Sequence, residues 1–495
     1  VSKRYILGID QSTSATKALL FDENGDLNHR YDLSHRQIVD DKGWVEHDPM
    51  QIYRNTIAVV KGLVERAGVD KASILGVGVS NQRETALVWD RATGLPVYNA
   101  IVWQCGRGEK ICERIAAAGG ADRVKAVTGL HLSPYFSAAK IAWVLENVPN
   151  LQGKELCCGT IDSWLVYKLT GELRTDYSNA SRTQLFDLGE LCWSNEVCAL
   201  FGIDPATLPE VSDTNGCFGE TDFEGFFEKP IPIRGVMGDS HGALFGQGCL
   251  APGMIKATYG TGSSVMMNTG ESPAYSKSLV TSLAWGMDGK VNYVLEGNIN
   301  YTGAVIQWLV EDLGLLSSPK EAGKVAAGAR SIKGLYLVPA FSGLGAPYWD
   351  GNARAIICGM DRSCGKAELV RAAEESIAYQ IADILLLMKA ESGIGIDSLR
   401  VDGGPARDSF LMQFQADIAD MEVVVPDVEE LSGMGAAYAA GIALGLYDAA
   451  VFSRRAAARY RPDMSGESRE SKYAGWKDAV AMALTREPET TYQAL

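Results

Sequence analysis

Short apolar runs separated by small polar turns open the chain. Tyr5-Ile-Leu-Gly-Ile-Asp10 and Ala18-Leu-Leu-Phe21 flank a turn of small hydroxylated residues and read as two strands joined tightly. Asn24-Gly25, just beyond, is a strong turn signal, so a three-stranded antiparallel meander is predicted. A helix follows from Pro49 to about Ala67, with Asp48 as its cap. Ser73 to Ser80 reads as a buried strand, and Ala86 to Asp90 starts another. Apolar residues at 141, 144, 145 and 148 mark one helical face ended by Pro149, with Ser137 as a possible cap. Segments 159–164 and 175–182 read as structural loops and caps. Ile231 to Gly238 is a strand ending at Asp239.

The second half repeats the opening. Met254 to Met267 is again strand, small hydroxylated turn, strand, and Met287-Asp288-Gly289-Lys290 supplies another tight turn, which predicts a second meander. A helix carries Ile306, Leu309, Val310 and Leu313, with Gly314 as its stop. Strands and helices then alternate: a long helix from Lys366 to Glu391, a strand through Asp402, the turn Gly403-Gly404-Pro405, a helix through Phe410, a strand from Met421 to Val425, and a Gly/Ala-rich helix from about Ser432. The tail after Tyr447 is expected to be helical. Two halves with one opening pattern predict an internal duplication and two α/β domains, residues 1–248 and 249–495.

Charge narrows the function. The net charge of −15 disfavours nonspecific binding to nucleic acid or an anionic membrane. Any anionic ligand must then be met by backbone dipoles, a few cations and a metal. No stretch is long and apolar enough for a membrane span, and the N-terminus carries no signal-peptide pattern. The ten Cys form no CxxC pair and no zinc spacing, so a reducing cytoplasm is expected. A homo-oligomer, dimer or tetramer, is the expected assembly.

Candidate chemistry gathers at strand ends. The first turn offers Thr13, Ser14 and Lys17 to phosphate oxygens, and Asp10 stands where a carboxylate could hold a hard cation such as Mg2+. A polar hairpin tip would look the same. Asn81-Gln82-Arg83-Glu84 follows a buried strand, where ligands bind in α/β sheets; four hydrogen-bonding side chains suit a ligand with several hydroxyls, although a surface salt-bridged loop also fits. Trp103 offers an aromatic face for C–H groups or a piece of core, and Tyr135 lies just before a helix. Asp239 is placed to take a proton from a hydroxyl or to cap a helix. His241 is a candidate ligand or base, or simply packed. Gly403-Gly404, between strand and helix, lets a nucleotide approach the backbone.

Gly43-Trp-Val-Glu-His-Asp-Pro49, Asn81-Gln-Arg-Glu-Thr85, Asn99-Ala-Ile-Val-Trp-Gln104, Phe341-Ser-Gly-Leu-Gly-Ala-Pro-Tyr-Trp-Asp350 and Leu399-Arg-Val-Asp-Gly-Gly404 resemble the signatures of the FGGY carbohydrate kinases, most of all the glycerol-phosphorylating branch. The resemblance spans Gly8 to about Trp476. It implies two actin-like, ribonuclease-H-like domains with the active site in the cleft between them. It also implies ATP and Mg2+ as cofactors and a small polyol as substrate. By this resemblance Asp10 lies near the metal, and Thr13, Ser14 and Lys17 near the transferred phosphoryl group. Arg83, Glu84, Trp103 and Tyr135 line the substrate pocket, and Asp239 is the base. Thr261, Gly262, Gly303, Gln307, Gly404 and Asp408 hold the nucleotide. Two positions depart from the branch: Ser240 stands where Gln is usual and Ser264 where Phe is usual. Both face substrate in the family, so a roomier pocket is expected, open to a four- or five-carbon polyol or ketose. Neither the fructose-bisphosphate loop nor the phosphorylatable His of the regulated members is present. A nonenzymatic ATP-binding protein of the same architecture is the competing class.

Overall fold

The computed structural model describes residues 3–453 and 456–485. Strands β1 (Tyr5–Gln11), β2 (Ala15–Phe21) and β3 (Leu27–Ser34) form the predicted meander, with Asp10 opposite Lys17 across the first hairpin. Helix α1 (Pro49–Ala67) begins where Asp48 accepts the Met50 N–H at 2.8 Å and ends at Gly68 with φ 62°. Strand β4 (Ile74–Asn81) lies parallel to β1. Helix α2 (Ser137–Asn147) has Phe136 in the cap position, so Ser137 is not its cap; the Ser137 hydroxyl instead donates to the Glu84 carbonyl at 3.1 Å. Strand β5 (Ile231–Gly238) runs parallel to β4 and leads into α3 (Asp239–Gly246). The six-stranded sheet is ordered 220–221, β5, β4, β1, β2, β3. In that register Asp10 lies beside Ser80, and Gly238 beside Asn81, so three parallel strands end at one edge.

The second half builds a seven-stranded sheet. Its strands β6 (Ile255–Tyr259) and β7 (Ser263–Gly270) repeat the first hairpin, and β8 (Val280–Met287) and β9 (Lys290–Ile299) turn at Asp288-Gly289. The order is not a plain meander. β9, not β8, pairs with β7, which leaves β8 at the edge. Helix α4 (Gly303–Glu311) stops short of Gly314, and α5 (Lys366–Ser392) is the long predicted helix. Next come β10 (Ser398–Gly403), parallel to β6, then α6 (Ser409–Ala419), β11 (Glu422–Pro426) and α7 (Leu431–Ala443). The tail after Tyr447 is not all helix. Its segment β12 (Ala456–Tyr460) closes the sheet beyond β11, and only then does α8 (Gly466–Ala483) begin. Among the described residues no helix is long and apolar enough to cross a membrane.

Helix α7 decides how the halves are joined. It belongs to the second half in sequence, yet it packs on β1, β4, β5 and α3 of the first. Leu431, Met434, Ala436, Ala437 and Tyr438 share one core with Ile6, Leu19, Phe21, Met237 and Leu244. Small residues make this possible. A Cβ at Gly78 would lie 2.2 Å from the Ala436 carbonyl oxygen, and one at Gly235 2.3 Å from the same atom, so helix and sheet meet backbone to backbone. Overpacking such a contact costs about 1–3 kcal/mol or more. Gly78→Val is therefore expected to lower the thermal midpoint by several degrees in a scanning-fluorimetry melt, whereas Gly106→Ala, whose Cβ would meet nothing within 4 Å, is expected to leave it unchanged.

Candidate active site

Two strand ends, a strand interior and a loop converge on one buried group of charges. Arg83, at the end of β4, donates from both terminal nitrogens to Glu296 on β9, at 2.9 Å each. Its Nε lies 3.2 Å from Asp239 Oδ1 and 3.9 Å from Glu84. Glu84 in turn accepts from Arg182 Nε at 2.6 Å, and Arg182 reaches Glu296 at 2.9 Å. Two guanidinium groups thus face two carboxylates in a buried ring of balanced charge, with Asp239 at its rim. Glu84 adopts φ 61°, a left-handed backbone that costs a non-glycine residue free energy and is kept where structure over-determines it. The Arg–Glu contacts supply that determination.

Asp239 is the first residue of α3, and Gly238 fills the cap position, so a capping role does not account for the carboxylate. Its Oδ1 accepts from the Ser240 N–H at 2.6 Å, while its side chain remains one-third exposed to the cleft (34%). Burial raises its pKa, opposed by the neighbouring Arg83 and reinforced by Glu84. His241 points away from solvent into the core. Its Nε2 is 3.5 Å from the Ser282 hydroxyl, and burial drives its pKa well below the ordinary value, so it stays neutral and packed. Asn81 and Gln82 also leave the ligand side. Asn81 pairs with Asn179, and Gln82 with Gln11 and Thr85, which makes them framework; neither they nor Arg83 and Glu84 form a surface loop.

The pocket wall opposite is aromatic. Trp103 and Tyr135 meet edge to face at 5.7 Å, and the Trp103 indole donates to Thr13 Oγ1 at 3.0 Å. Trp103 is therefore half-buried at the site and ties the substrate side to the first turn. Ser240 and Ser264 are both partly exposed there, with the Ser264 hydroxyl donating to Glu296 at 3.1 Å.

At the first turn Asp10 accepts from Ser80 Oγ at 2.9 Å and lies 3.2 Å from Lys17. Lys17 also donates to Glu430 at 2.8 Å, and Glu430 pairs with Arg30. Glu430 immediately precedes α7, so the helix that locks the halves also delivers a carboxylate to the turn. The second turn, 260–262, is latched to the start of α4: Gly303 N–H donates to the Gly260 carbonyl at 2.9 Å, and Ala304 N–H to that of Thr261 at 3.0 Å.

A cavity of about 880 Å3 lies beside these turns, lined by Gly303, Ile306, Gly404, Pro405, Asp408 and Glu430 among others. Three expected nucleotide residues, Gly303, Gly404 and Asp408, thus share one wall. Thr261 and Gly262 stand on the neighbouring turn, and Gln307 is exposed on α4, bonded to Glu311. Asp408 caps α6, accepting from Phe410 and Leu411 N–H.

Comparison with known proteins matches this architecture end to end. The pattern of the "FGGY family of carbohydrate kinases, N-terminal domain" covers residues 5–246, and that of its C-terminal domain covers residues 255–444. The chain belongs to the FGGY family of carbohydrate kinases. Glycerol kinase 1 of Thermotoga maritima is 48% identical over 97% of this chain and 100% of its own length. Glycerol kinase of Carboxydothermus hydrogenoformans is 46% identical over 99% and 100%. The crystal structure of Plasmodium falciparum glycerol kinase with ADP superposes with a TM-score of 0.93 at 35% identity, covering 98% of this chain and 99% of that one. This FGGY kinase therefore has the two-domain actin-like fold.

Sequence reasoning missed Arg182, Glu296 and Glu430. Arg182 lay in a segment read as loops and caps. Glu296 interrupts the apolar run Val294-Leu295, and a charge inside a buried strand was the signal available. Removing one partner of a buried ion group costs about 3–5 kcal/mol, because the other charge is left uncompensated. Arg182→Met is accordingly expected to lower stability by that order in denaturant unfolding; an unchanged midpoint would show that the ring contributes no net stability.

Proposed function

We infer that this FGGY kinase transfers the γ-phosphoryl group of ATP to a terminal hydroxyl of a small polyol, with glycerol the substrate tested first. The observation that carries this reading is the Asp239–Arg83–Glu296 arrangement: a carboxylate open to the cleft, backed by a fixed guanidinium, beside an aromatic wall. Arg83 and Glu84 would engage two hydroxyls of the polyol, the C–H groups resting on Trp103 and Tyr135. Asp239 takes the proton of the attacking hydroxyl. The oxygen then bonds to the γ-phosphorus as the bond to the β-phosphate oxygen breaks, and ADP leaves with the electron pair. Lys17, Thr13 and Ser14 on one turn, with Thr261 and Gly262 on the other, would hold the phosphates. The first half of the chain to about residue 248 would supply substrate and base, and the second half chiefly the nucleotide site.

The donor set suits Mg2+. Among the described residues no group of three or more His, Cys, Asp or Glu could cage a metal. Mg2+ commonly uses one or two carboxylates plus phosphates and waters, so Asp10 would suffice to hold it. The ion, when bound, would neutralise charge on the phosphates. All ten Cys are free, in keeping with a reducing cytoplasm.

Short Ser240 and Ser264 side chains at the pocket favour a second reading, a four- or five-carbon polyol or ketose. ADP release with glycerol, erythritol, ribitol and xylulose, each compared by kcat/KM, separates the two. Asp239→Asn is expected to lower kcat by about 10^2–10^4-fold while MgATP still binds. Because burial raises the Asp239 carboxyl and only its ionised form accepts a proton, wild-type kcat/KM is expected to fall as pH drops through a point above the usual carboxylate range. Activity that survives Asp239→Asn would remove Asp239 as the base.

A further inference from the structure

One carboxyl oxygen on helix α5, at the wall of the large cavity, is buried without a hydrogen-bond partner. Glu374 is 2% exposed, lines that cavity, and its Oε2 has no hydrogen-bond partner. Its neighbours on the helix are satisfied: Glu375 accepts from Arg371 at 2.8 Å, and Glu368 takes the Gly365 N–H at 3.0 Å. A buried polar group left without a partner is costly, so its place in a cavity wall points to a ligand. Apolar side chains, Ile306, Ile377 and Leu411, share the lining with Glu374, Ile377 from the same helix. Apolar faces with one polar edge are what a planar heterocycle requires.

We propose that Glu374 reads the edge of the nucleobase, its carboxylic acid giving one hydrogen bond to a ring nitrogen and taking one from the exocyclic amino group of adenine. The inference rests on the kinase reading, which makes this cavity the nucleotide site. Adenine presents an acceptor beside a donor, and a neutral carboxyl presents a donor beside an acceptor. Guanine presents two adjacent donors on its N1–N2 edge, which an ionised carboxylate would match better. The surroundings favour the neutral acid. Burial and the charge of Asp408, facing from the start of α6, push the Glu374 carboxyl up to about 8. The other charged groups are engaged or stand further along the wall. Arg371 is held by Glu375, Arg407 by Glu429, Lys324 lies near Glu321, and Lys320 and Asp402 line the cavity elsewhere.

The test is the ratio of kcat/KM for ATP to that for GTP in the full-length enzyme, which cancels the pH dependence of the shared chemical step. In wild type the ratio is expected to fall about fivefold as Glu374 ionises between about pH 6.5 and about pH 8.5. Glu374→Gln keeps one donor and one acceptor, so its ratio is expected to stay flat with ATP still preferred. Glu374→Leu loses both and is expected to lower kcat/KM for ATP about tenfold. A pH-independent ratio in wild type overturns the proposal without need of any variant, and so does the same pH dependence in Glu374→Gln. Gly404→Leu separates the two levels, because a Cβ there would meet nothing within 4 Å and project into the cavity. A raised KM for ATP in that variant keeps the nucleotide in this cavity, so that a null result at Glu374 counts against Glu374 alone. An unchanged KM overturns the cavity assignment and the proposal together.

Discussion

The bidentate pair between Arg83 and Glu296 is the constraint on which the site depends. It crosses from just beyond the end of a strand in the first sheet to a position inside a strand of the second. Both groups are buried, and each has a second charged neighbour, Asp239 for Arg83 and Arg182 for Glu296. Charge-assisted, two-point contacts of this kind fix angle as well as distance. The position of Asp239 is thus set from both halves of the chain at once, although the residue itself belongs to the first.

That pair also limits how the halves can move. Separating a buried bidentate pair leaves two uncompensated charges, at a cost of several kcal/mol. α7 adds a second tie, because its backbone lies against Gly78 and Gly235 with no side chain between them. Any relative motion of the halves that preserves both ties must pivot about them.

Local chemistry made much of this legible in the sequence. Asp48-Pro49 marked the start of α1, because caps act within a few residues, and its end near Ala67 was also legible. The two hairpins with small hydroxylated turns were legible as a repeated opening, and the strand-end residues Asp10, Arg83, Glu84 and Asp239 were visible as candidates. Pairing over long distances was not legible. Nothing near Val280 shows that β9 slips between it and β7, and nothing near Ala456 shows that the segment completes a sheet. Arg182 and Glu296 were hidden for the same reason: each is meaningful only through a partner about a hundred residues or more away. The caps read at Ser137 and Asp239 failed because Phe136 and Gly238 occupy the cap positions, freeing one hydroxyl for the Glu84 carbonyl and one carboxylate for the cleft.

An acidic chain that binds a polyanion faces a problem that the fold answers locally. At a net charge of −15 the long-range field repels a nucleotide triphosphate. The cavity wall does not reverse this, since Asp402, Asp408, Asp427, Glu429 and Glu430 outnumber Lys320 and Arg407, and Arg407 is already paired. Lys17 is itself shared between Asp10 and Glu430. In the proposed reading, attraction for the phosphates would come from the N–H groups of the two turns and from a metal brought with the nucleotide, both short-ranged. Binding under those terms depends on what the base end contributes. A neutral carboxyl there adds hydrogen bonds without adding one more negative charge to a cavity that already has too many, which is the physical advantage of Glu374 being buried beside Asp408 rather than exposed.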